Sequence, residues 1–166
     1  MELEAILGKN VSGHRQHYLN FHPATFFPEL ERAGLKYDMS VGYNDMSGPR
    51  AGTLYPFKPY DTEKGKPFSL WEIPFILMDT TLATTYRFSS SEALDHCIDQ
   101  IRPMEKSGGC VSLIWHQEQL SGLLDPGFDM IYWMLLKRLK ERGIRLSSGE
   151  RLLPAMDALW KMSIEE

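Results

Sequence analysis

Two short segments of the chain end in side chains that can hold or transfer a proton. Residues 13–19 read GHRQHYL, and residues 111–117 read VSLIWHQ. Each is a short β-prone or apolar run that ends in His or Arg. Polar residues just past the carboxyl ends of parallel strands line the ligand crevice of α/β folds, so the two segments predict one pocket that contains Arg15, His17 and His116. A hydrolase site or a carbohydrate site fits these residue types.

The elements that must position these residues alternate between strands and helices. The periodicity and the Gly, Pro and Ser signals predict helices over 2–7, 23–33, 89–102, 128–142 and 149–162, and strands over 10–15, 35–38, 111–115 (buried) and 144–146, with an apolar run at 70–76. Residues 40–69 have no clear period and are too long for an ordinary connection, which predicts a functional loop. The alternation implies an α/β fold with a parallel sheet, either barrel-like or an open wound sheet.

Composition limits the class of protein. A chain of 166 residues with 43% hydrophobic content can bury one ordinary core, which predicts one domain. The net charge of -4 and the absence of a long basic run argue against a nucleic-acid partner. No run of about 18 apolar residues is present and the first residues are acidic, so we expect no membrane partner and a cytoplasmic protein. The two cysteines lack CxxC spacing, which disfavours a disulfide framework or a cysteine zinc site.

Five segments together resemble a known family. They are GHRQHYL at 13–19, AGLKYDMSVGY at 33–43, RAGT with YPF at 50–57, EIP with the following Met-Asp at 72–79, and IWH at 114–116. In this order and approximate spacing they resemble the later part of the polysaccharide deacetylase superfamily, carbohydrate esterase family four. The resemblance implies the carboxyl-terminal part of an irregular (β/α) barrel. It also implies hydrolysis of N- or O-acetyl groups on an acetylated polysaccharide or oligosaccharide, with a divalent metal.

The resemblance implies a role for each matching residue. Arg15 resembles the arginine of the third motif, which orients the catalytic base carboxylate, and Asp38 lies in a segment similar to the start of the fourth motif. His116 resembles the histidine of the fifth motif, which is the general acid toward the leaving amine or alcohol, and Ile114 would line the pocket of the acetyl methyl group. A histidine suits this role because it titrates near neutral pH, and a carboxylate partner would hold its tautomer.

Four more residues are candidates for substrate binding. His17, Tyr18 and Trp115 flank the catalytic candidates, and aromatic faces suit the C–H surface of a sugar. Arg50 lies in the long loop, which would either hold it toward a substrate or only cover the barrel bottom or an exposed edge. The catalytic and aromatic candidates also have a structural interpretation. Aromatic residues commonly fill a core, His116 can be a hydrogen-bonded histidine beneath Trp115, and Arg15 can pair with a structural carboxylate.

Two family motifs have no counterpart in the sequence. The first is a Thr-Phe-Asp-Asp-like strand end that supplies the base and one metal ligand, and the second is a His-x-x-x-His-like helix that supplies the other two ligands. Both would lie upstream of Val11. His14, His17 and His22 do not replace them, because they are not at i and i+4 on one helix. We therefore expect residues 1–166 to form a partial domain, with no metal or other cofactor in this chain. A zinc-like metal is expected only in a complete family domain.

Two functions from different classes follow. The first hypothesis is that the chain is the carboxyl-terminal portion of a metal-dependent deacetylase, inactive in isolation, either truncated or half of a split enzyme. The alternative is a noncatalytic deacetylase-like module for carbohydrate binding or interaction. A barrel without its first strands exposes an edge at residues 11–15, so we expect a homodimer, a larger assembly or the missing amino-terminal half to cover it. The alternative is a rearranged open sheet that the loop at 40–69 protects.

Overall fold

The fold is known from a computed structural model that describes residues 2–164. The backbone alone is described for Glu2, Ser163 and Ile164, and Met1, Glu165 and Glu166 of the expected domain lie outside the described residues. In chain order the elements are α1 (Glu2–Leu7), β1 (Gly13–His14), α2 (Pro23–Arg32), β2 (Tyr37–Asp38), β3 (Tyr60–Asp61), β4 (Lys66–Pro67), β5 (Trp71–Glu72), β6 (Phe75–Met78), α3 (Ser90–Ser107), β7 (Ser112–Ile114), α4 (Gln117–Leu120), α5 (Phe128–Glu141) and α6 (Gly149–Ile164).

The described chain forms two compact units. The first comprises the described residues up to Ser40, Pro56–Ile73 and those from Ser147 onward, and the second comprises Val41–Tyr55 and Pro74–Leu146. In the first unit β1, β2 and β5 form a parallel sheet in that order, and β3 and β4 form an antiparallel hairpin. In the second unit β6 and β7 pair in parallel. The α/β class with parallel strands is confirmed, and residues 2–164 form no closed barrel.

In the first unit, local signals set the bounds of α2. Pro23 begins the helix, where its missing N–H costs nothing. Gly34 ends it at φ 80°, with its N–H donated to Glu31 O and the N–H of Leu35 donated to Leu30 O. These are the two hydrogen bonds of a Schellman motif, which leads the chain directly into β2. The prediction of a helix from Pro23 ended by Gly34 is confirmed.

The second unit is built around one apolar cluster. Ser89 and Glu92 form a capping box at the start of α3, as the sequence predicts. The buried members of the cluster come from β6, α3 and α5 together with one residue of a π-helical turn: Ile76, Leu77, Leu82, Ala93, Leu94, Cys97, Ile98, Ile101, Phe128, Ile131, Leu135 and Leu139. The partly buried Leu113 and Trp115 of the β7 segment also pack against it. The strand β7 is half-buried, so the prediction of a buried strand is wrong.

Two further predictions are wrong for identifiable reasons. The helix α3 continues through Pro103 to Ser107, because Ile101 and Met104 pack against the apolar cluster on either side of the proline. Residues 144–146 form no strand, because the N–H of Ile144 is donated to Leu139 O and closes the Schellman motif that ends α5. In both places tertiary packing or a cap overrides a short local signal.

The connecting segments differ from the predictions as well. The long loop at 40–69 contains the hairpin of β3 and β4. The apolar run at 70–76 divides into β5 and β6 on either side of Ile73 and Pro74. A 3₁₀ turn at His17–Leu19 and a π-helical turn at Thr81–Thr85 were not predicted. None of the helices within residues 2–164 is both long and apolar enough to cross a lipid bilayer.

Gly42 allows the backbone to lie close to the Phe75 ring, and a larger residue at this position would prevent the contact. A Cβ at Gly42 would lie 1.7 Å from Cδ1 of Phe75, which is 1% exposed at the start of β6. We expect Gly42→Ala to lower the free energy of unfolding by about 1–3 kcal/mol because the site is overpacked. In a Phe75→Leu background the same substitution should cost less, as chemical denaturation of the four proteins would show. An equal cost in both backgrounds would contradict the close contact.

Candidate functional site

The second unit places an acid–base pair at the carboxyl ends of two parallel strands. Met78 and Ile114 are partners in the pairing of β6 with β7, and Asp79 follows the first strand while His116 follows the second by two residues. Nδ1 of His116 lies 2.6 Å from Oδ1 of Asp79, and the backbone N–H of His116 donates to Oδ2 at 2.5 Å. The predicted position of His116 past a strand end is therefore confirmed, with a carboxylate beside it.

The hydrogen bonds of Asp79 decide which nitrogen of His116 carries the proton. The Asp79 carboxylate is fully buried and also accepts the backbone N–H of Thr80 at 2.8 Å. With two backbone N–H groups as donors it acts as an acceptor, so the Nδ1–H of His116 donates to it. Nε2 has no protein hydrogen-bond partner within residues 2–164, and the side chain is 42% exposed. His116 can thus exchange a proton with a ligand through Nε2.

The backbone that follows β6 holds Asp79 in place. The π-helical turn Thr81–Thr85 begins two residues later, and the hydroxyl of Thr81 donates to Asn44 O at 3.1 Å. Leu82 is fully buried in the apolar cluster and anchors the turn. Single π-helical turns occur frequently at functional sites, where they redirect a side chain. Here Thr80, the residue just before the turn, donates its N–H to the Asp79 carboxylate.

The first unit contains a second pair with the same chemistry. His14 and Asp38 are partners in the pairing of β1 with β2, and Nδ1 of His14 lies 2.8 Å from Oδ1 of the fully buried Asp38. Ser40 donates its N–H to Oδ2 of Asp38 and its hydroxyl to Oδ1. Asp38, a predicted catalytic residue, therefore orients a histidine and a serine inside the unit.

Arg15 lies in the same unit as Asp38. Its Nε donates to Met39 O at 3.0 Å. Burial lowers the pKa of the Arg15 guanidinium, while the nearby carboxylates of Asp38 and Glu72 act in the opposite direction. Both acids are fully buried in the neighbouring strands β2 and β5. A partly buried arginine close to two buried carboxylates fits the structural alternative that the sequence left open for Arg15.

The predicted substrate-binding residues of the first unit are on the surface. His17 and Tyr18 form the 3₁₀ turn after β1, with ring centroids 4.3 Å apart. The Tyr18 side chain is largely solvent-exposed at 81%. Tyr18 and Leu19 have φ values of 57° and 53°, a left-handed conformation that non-glycine residues rarely adopt. The turn therefore presents one exposed aromatic ring on strained backbone.

The predicted residues of the second unit have three different environments. Ile114 ends β7 and is half-buried. Trp115 packs against the apolar cluster, with ring centroids 6.4 Å from Phe128 and 5.5 Å from Tyr132. Arg50 is exposed, donates to Gly42 O at 3.3 Å and lies over the ring of Tyr43. Trp115 is thus a partly buried residue at the edge of the apolar cluster, and its role in substrate binding stays a prediction.

Sequence reasoning did not assign a role to Asp79, His14 or Ser40. A signal exists for Asp79, because it follows the apolar strand residues 75–78 just as His116 follows the strand of β7. His14 ends β1 and lies beside the strand that ends in Asp38. Such strand-end pairs can be sought in a sequence once the order of the strands is known.

The described chain contains no assembled metal site and no activated cysteine. Residues 2–164 bring together no group of three or more His, Cys, Asp or Glu side chains that could hold a metal ion. Burial raises the pKa of the Cys97 thiol to about 12, and it also raises the pKa of Cys110. Since the thiolate is the nucleophilic form, neither cysteine is an activated nucleophile.

Comparison with known proteins gave no match, whether with family models, with curated proteins or with solved structures. The fold class is supported by the arrangement of strands and helices alone. Function has to be inferred from the two Asp–His pairs and the residues around them.

Asp79→Asn tests the hydrogen bonds around His116. The Asn amide would place a donor against a backbone N–H or against His116, so we expect the free energy of unfolding to fall by about 1–3 kcal/mol. Asp45→Asn, at an exposed position of the same unit, should change it by less than about 0.5 kcal/mol. Urea denaturation of both variants measures the difference. Equal small changes would mean that Asp79 is not the buried acceptor described above.

Proposed function

We propose that this chain is the carboxyl-terminal portion of a polysaccharide deacetylase. In this proposal it contributes the general acid for the hydrolysis of acetyl groups on sugars. The observation that carries the proposal is the pair formed by His116 and the fully buried Asp79 at the ends of two parallel strands. The sequence resemblance assigns the general acid to the same histidine. We also propose that the complete domain is an irregular (β/α) barrel of which this chain forms part.

The chemistry assigned to His116 is a single proton transfer. When water adds to the acetyl carbonyl and the C–N bond breaks, the leaving nitrogen must gain a proton. Protonated His116 donates it from Nε2 and becomes neutral, while Nδ1–H stays hydrogen-bonded to Asp79. The carboxylate stabilises the charged ring before the transfer and keeps its orientation during it. The half-buried Ile114 is proposed to line the pocket of the acetyl methyl group.

The family also uses a divalent metal, which needs ligands of its own. The described residues bring together no set of three ligands that fits it, so no step above runs through a metal. The proposal assigns to this chain the acid and the substrate contacts, among them Arg50, His17 and Tyr18. Base and metal ligands would have to come from residues with the character of the first two family motifs, and those motifs have no counterpart in this sequence.

A noncatalytic carbohydrate-binding module is the second candidate. The observation that favours it is the exposed ring of Tyr18 on strained backbone, since exposed aromatic faces suit sugar rings. The two candidates differ in one property. The deacetylase proposal requires His116 to act in turnover, whereas a binding module requires only that the sugar binds.

We expect the chain on its own to release no acetate from an acetylated chitin oligomer in the presence of Zn²⁺. Joined to a segment that carries the first two family motifs, it should release acetate, and His116→Gln should lower kcat by about 10²–10⁴-fold with little change in KM. Lys137→Gln, at an exposed position of α5, is the matched control and should leave kcat unchanged. Acetate is measured by an enzyme-coupled assay.

Three results would contradict the proposal. One is metal-dependent acetate release by the chain alone. Another is a joined protein whose His116→Gln variant turns over as fast as the original. The third is a joined protein that binds zinc and the oligomer and releases no acetate, which would favour the binding module.

A further inference from the structure

The first unit contains a histidine whose free nitrogen the proposed function does not use. Nδ1 of His14 lies 2.8 Å from Oδ1 of Asp38, whose side chain is fully buried, while the His14 side chain is 29% exposed. The arrangement reproduces that of His116 and Asp79 in the second unit, where Asp79 is also fully buried. A buried carboxylate therefore holds a half-exposed imidazole in each unit.

Ser40 determines the proton positions around Asp38. The hydroxyl of Ser40 accepts the backbone N–H of Gln16 at 2.8 Å, so its own hydrogen is available for Oδ1 of Asp38 at 2.9 Å. The N–H of Ser40 occupies Oδ2 at 2.8 Å. Asp38 is thus an acceptor of hydrogen bonds, and the proton between it and His14 belongs to Nδ1 of the ring.

The other nitrogen of His14 is then a lone-pair acceptor when the ring is neutral. Nε2 of His14 has no protein hydrogen-bond partner within residues 2–164. The ring cannot turn easily, because it also packs against buried Phe26 with centroids 5.5 Å apart, and Phe21 stacks on Phe26 at 4.4 Å. An oriented acceptor beside an apolar wall is a typical component of a ligand site.

The chain that follows His14 favours a sugar as the ligand. The 3₁₀ turn at His17–Leu19 exposes the Tyr18 ring, and Tyr18 and Leu19 both have positive φ. Strained backbone of this kind persists at binding and active sites. Sugars carry many hydroxyl donors together with C–H faces that contact aromatic rings, which matches an oriented acceptor and an exposed tyrosine.

We propose that His14 is a ligand-binding residue whose Nε2 accepts a hydrogen bond from a sugar hydroxyl, and that Asp38 is its positioning residue. The choice of a sugar rests on the proposed function. The role differs from that of His116, because His14 receives a hydrogen bond in its neutral form and His116 donates a proton in its charged form. Asp38, in this account, acts only through His14.

Long-range ¹H–¹⁵N spectra of the full chain at pH 8 test the proposal without any substitution. The five histidines give separate signals, and the exposed His22, whose ring makes no hydrogen bond in the described chain, serves as the internal reference. We expect the Nδ1–H tautomer at His14. Addition of tri-N-acetylchitotriose should shift its Nε2 signal while the His22 signals stay in place.

Three variants distinguish a positioning role of Asp38 from a role in folding. Asp38→Asn should change His14 to the Nε2–H tautomer and weaken binding of the trisaccharide about tenfold, which corresponds to roughly 1.4 kcal/mol. The matched control, Asp79→Asn, should change the tautomer of His116 and leave that of His14 unaltered. His14→Gln should weaken binding by a similar factor, and circular dichroism checks that this variant is folded, because the substitution removes a donor to the buried Asp38.

The two histidines distinguish this inference from the proposed function. A sugar-dependent shift at His14 supports the inference even if His116 does not respond. A shift at His116 alone overturns the inference and leaves the proposed function standing, and no shift at either ring contradicts both. The Nε2–H tautomer at His14 in the unsubstituted chain also overturns the inference, because Nε2 would then be a donor.

Discussion

A carboxylate buried at the end of a strand is costly unless donors reach its oxygens, and this constraint organises both units. Asp38 and Asp79 are fully buried, and each accepts at least one backbone N–H and one imidazole Nδ1–H. The donors come from the segments immediately around the strand ends. Strand pairing places a histidine next to each aspartate, and this histidine is one of the donors that offset the cost of burying the acid.

The two pairs are built in opposite chain order. In the first unit the histidine ends β1 and the aspartate ends β2, whereas in the second unit the aspartate follows β6 and the histidine follows β7. The result is the same in both: Nδ1 faces the protein and Nε2 has no protein partner in the described chain. Each unit thus has one oriented imidazole nitrogen, and the difference between their proposed roles lies in the protonation state that the ligand requires.

Much of the fold could be predicted because its signals are local. Pro23 and Gly34 bound α2, and the Ser89 and Glu92 capping box starts α3, since caps depend on residues within one turn. The continuation of α3 through Pro103 could not be predicted in this way, because it depends on burial of Ile101 and Met104 against other elements. The hairpin inside the long loop lacked a two-residue turn signal of the usual kind.

The candidate site could be predicted only in part, because it too depends on contacts between residues that are distant in the sequence. The position of His116 past a strand end is predictable because it follows an apolar run, whereas Arg15 and Asp38 are site candidates only through the family resemblance. The partnership of His116 with Asp79 spans 37 residues and depends on which strands pair, which a single sequence does not specify. Trp115 directly follows β7, and its ring packs against Phe128 and Tyr132, a contact that also depends on which elements meet in the fold.

Asp38 and Asp79 each hold a histidine through Nδ1–H, and we propose that Nε2 of each histidine faces a ligand. Neutron diffraction from deuterium-exchanged crystals grown near pH 8 would locate these protons directly. The account predicts deuterium on Nδ1 of both His14 and His116, directed at Asp38 and Asp79, and none on Nε2. Deuterium on Nε2 with Nδ1 bare, or a carboxylic acid at either aspartate, would contradict it.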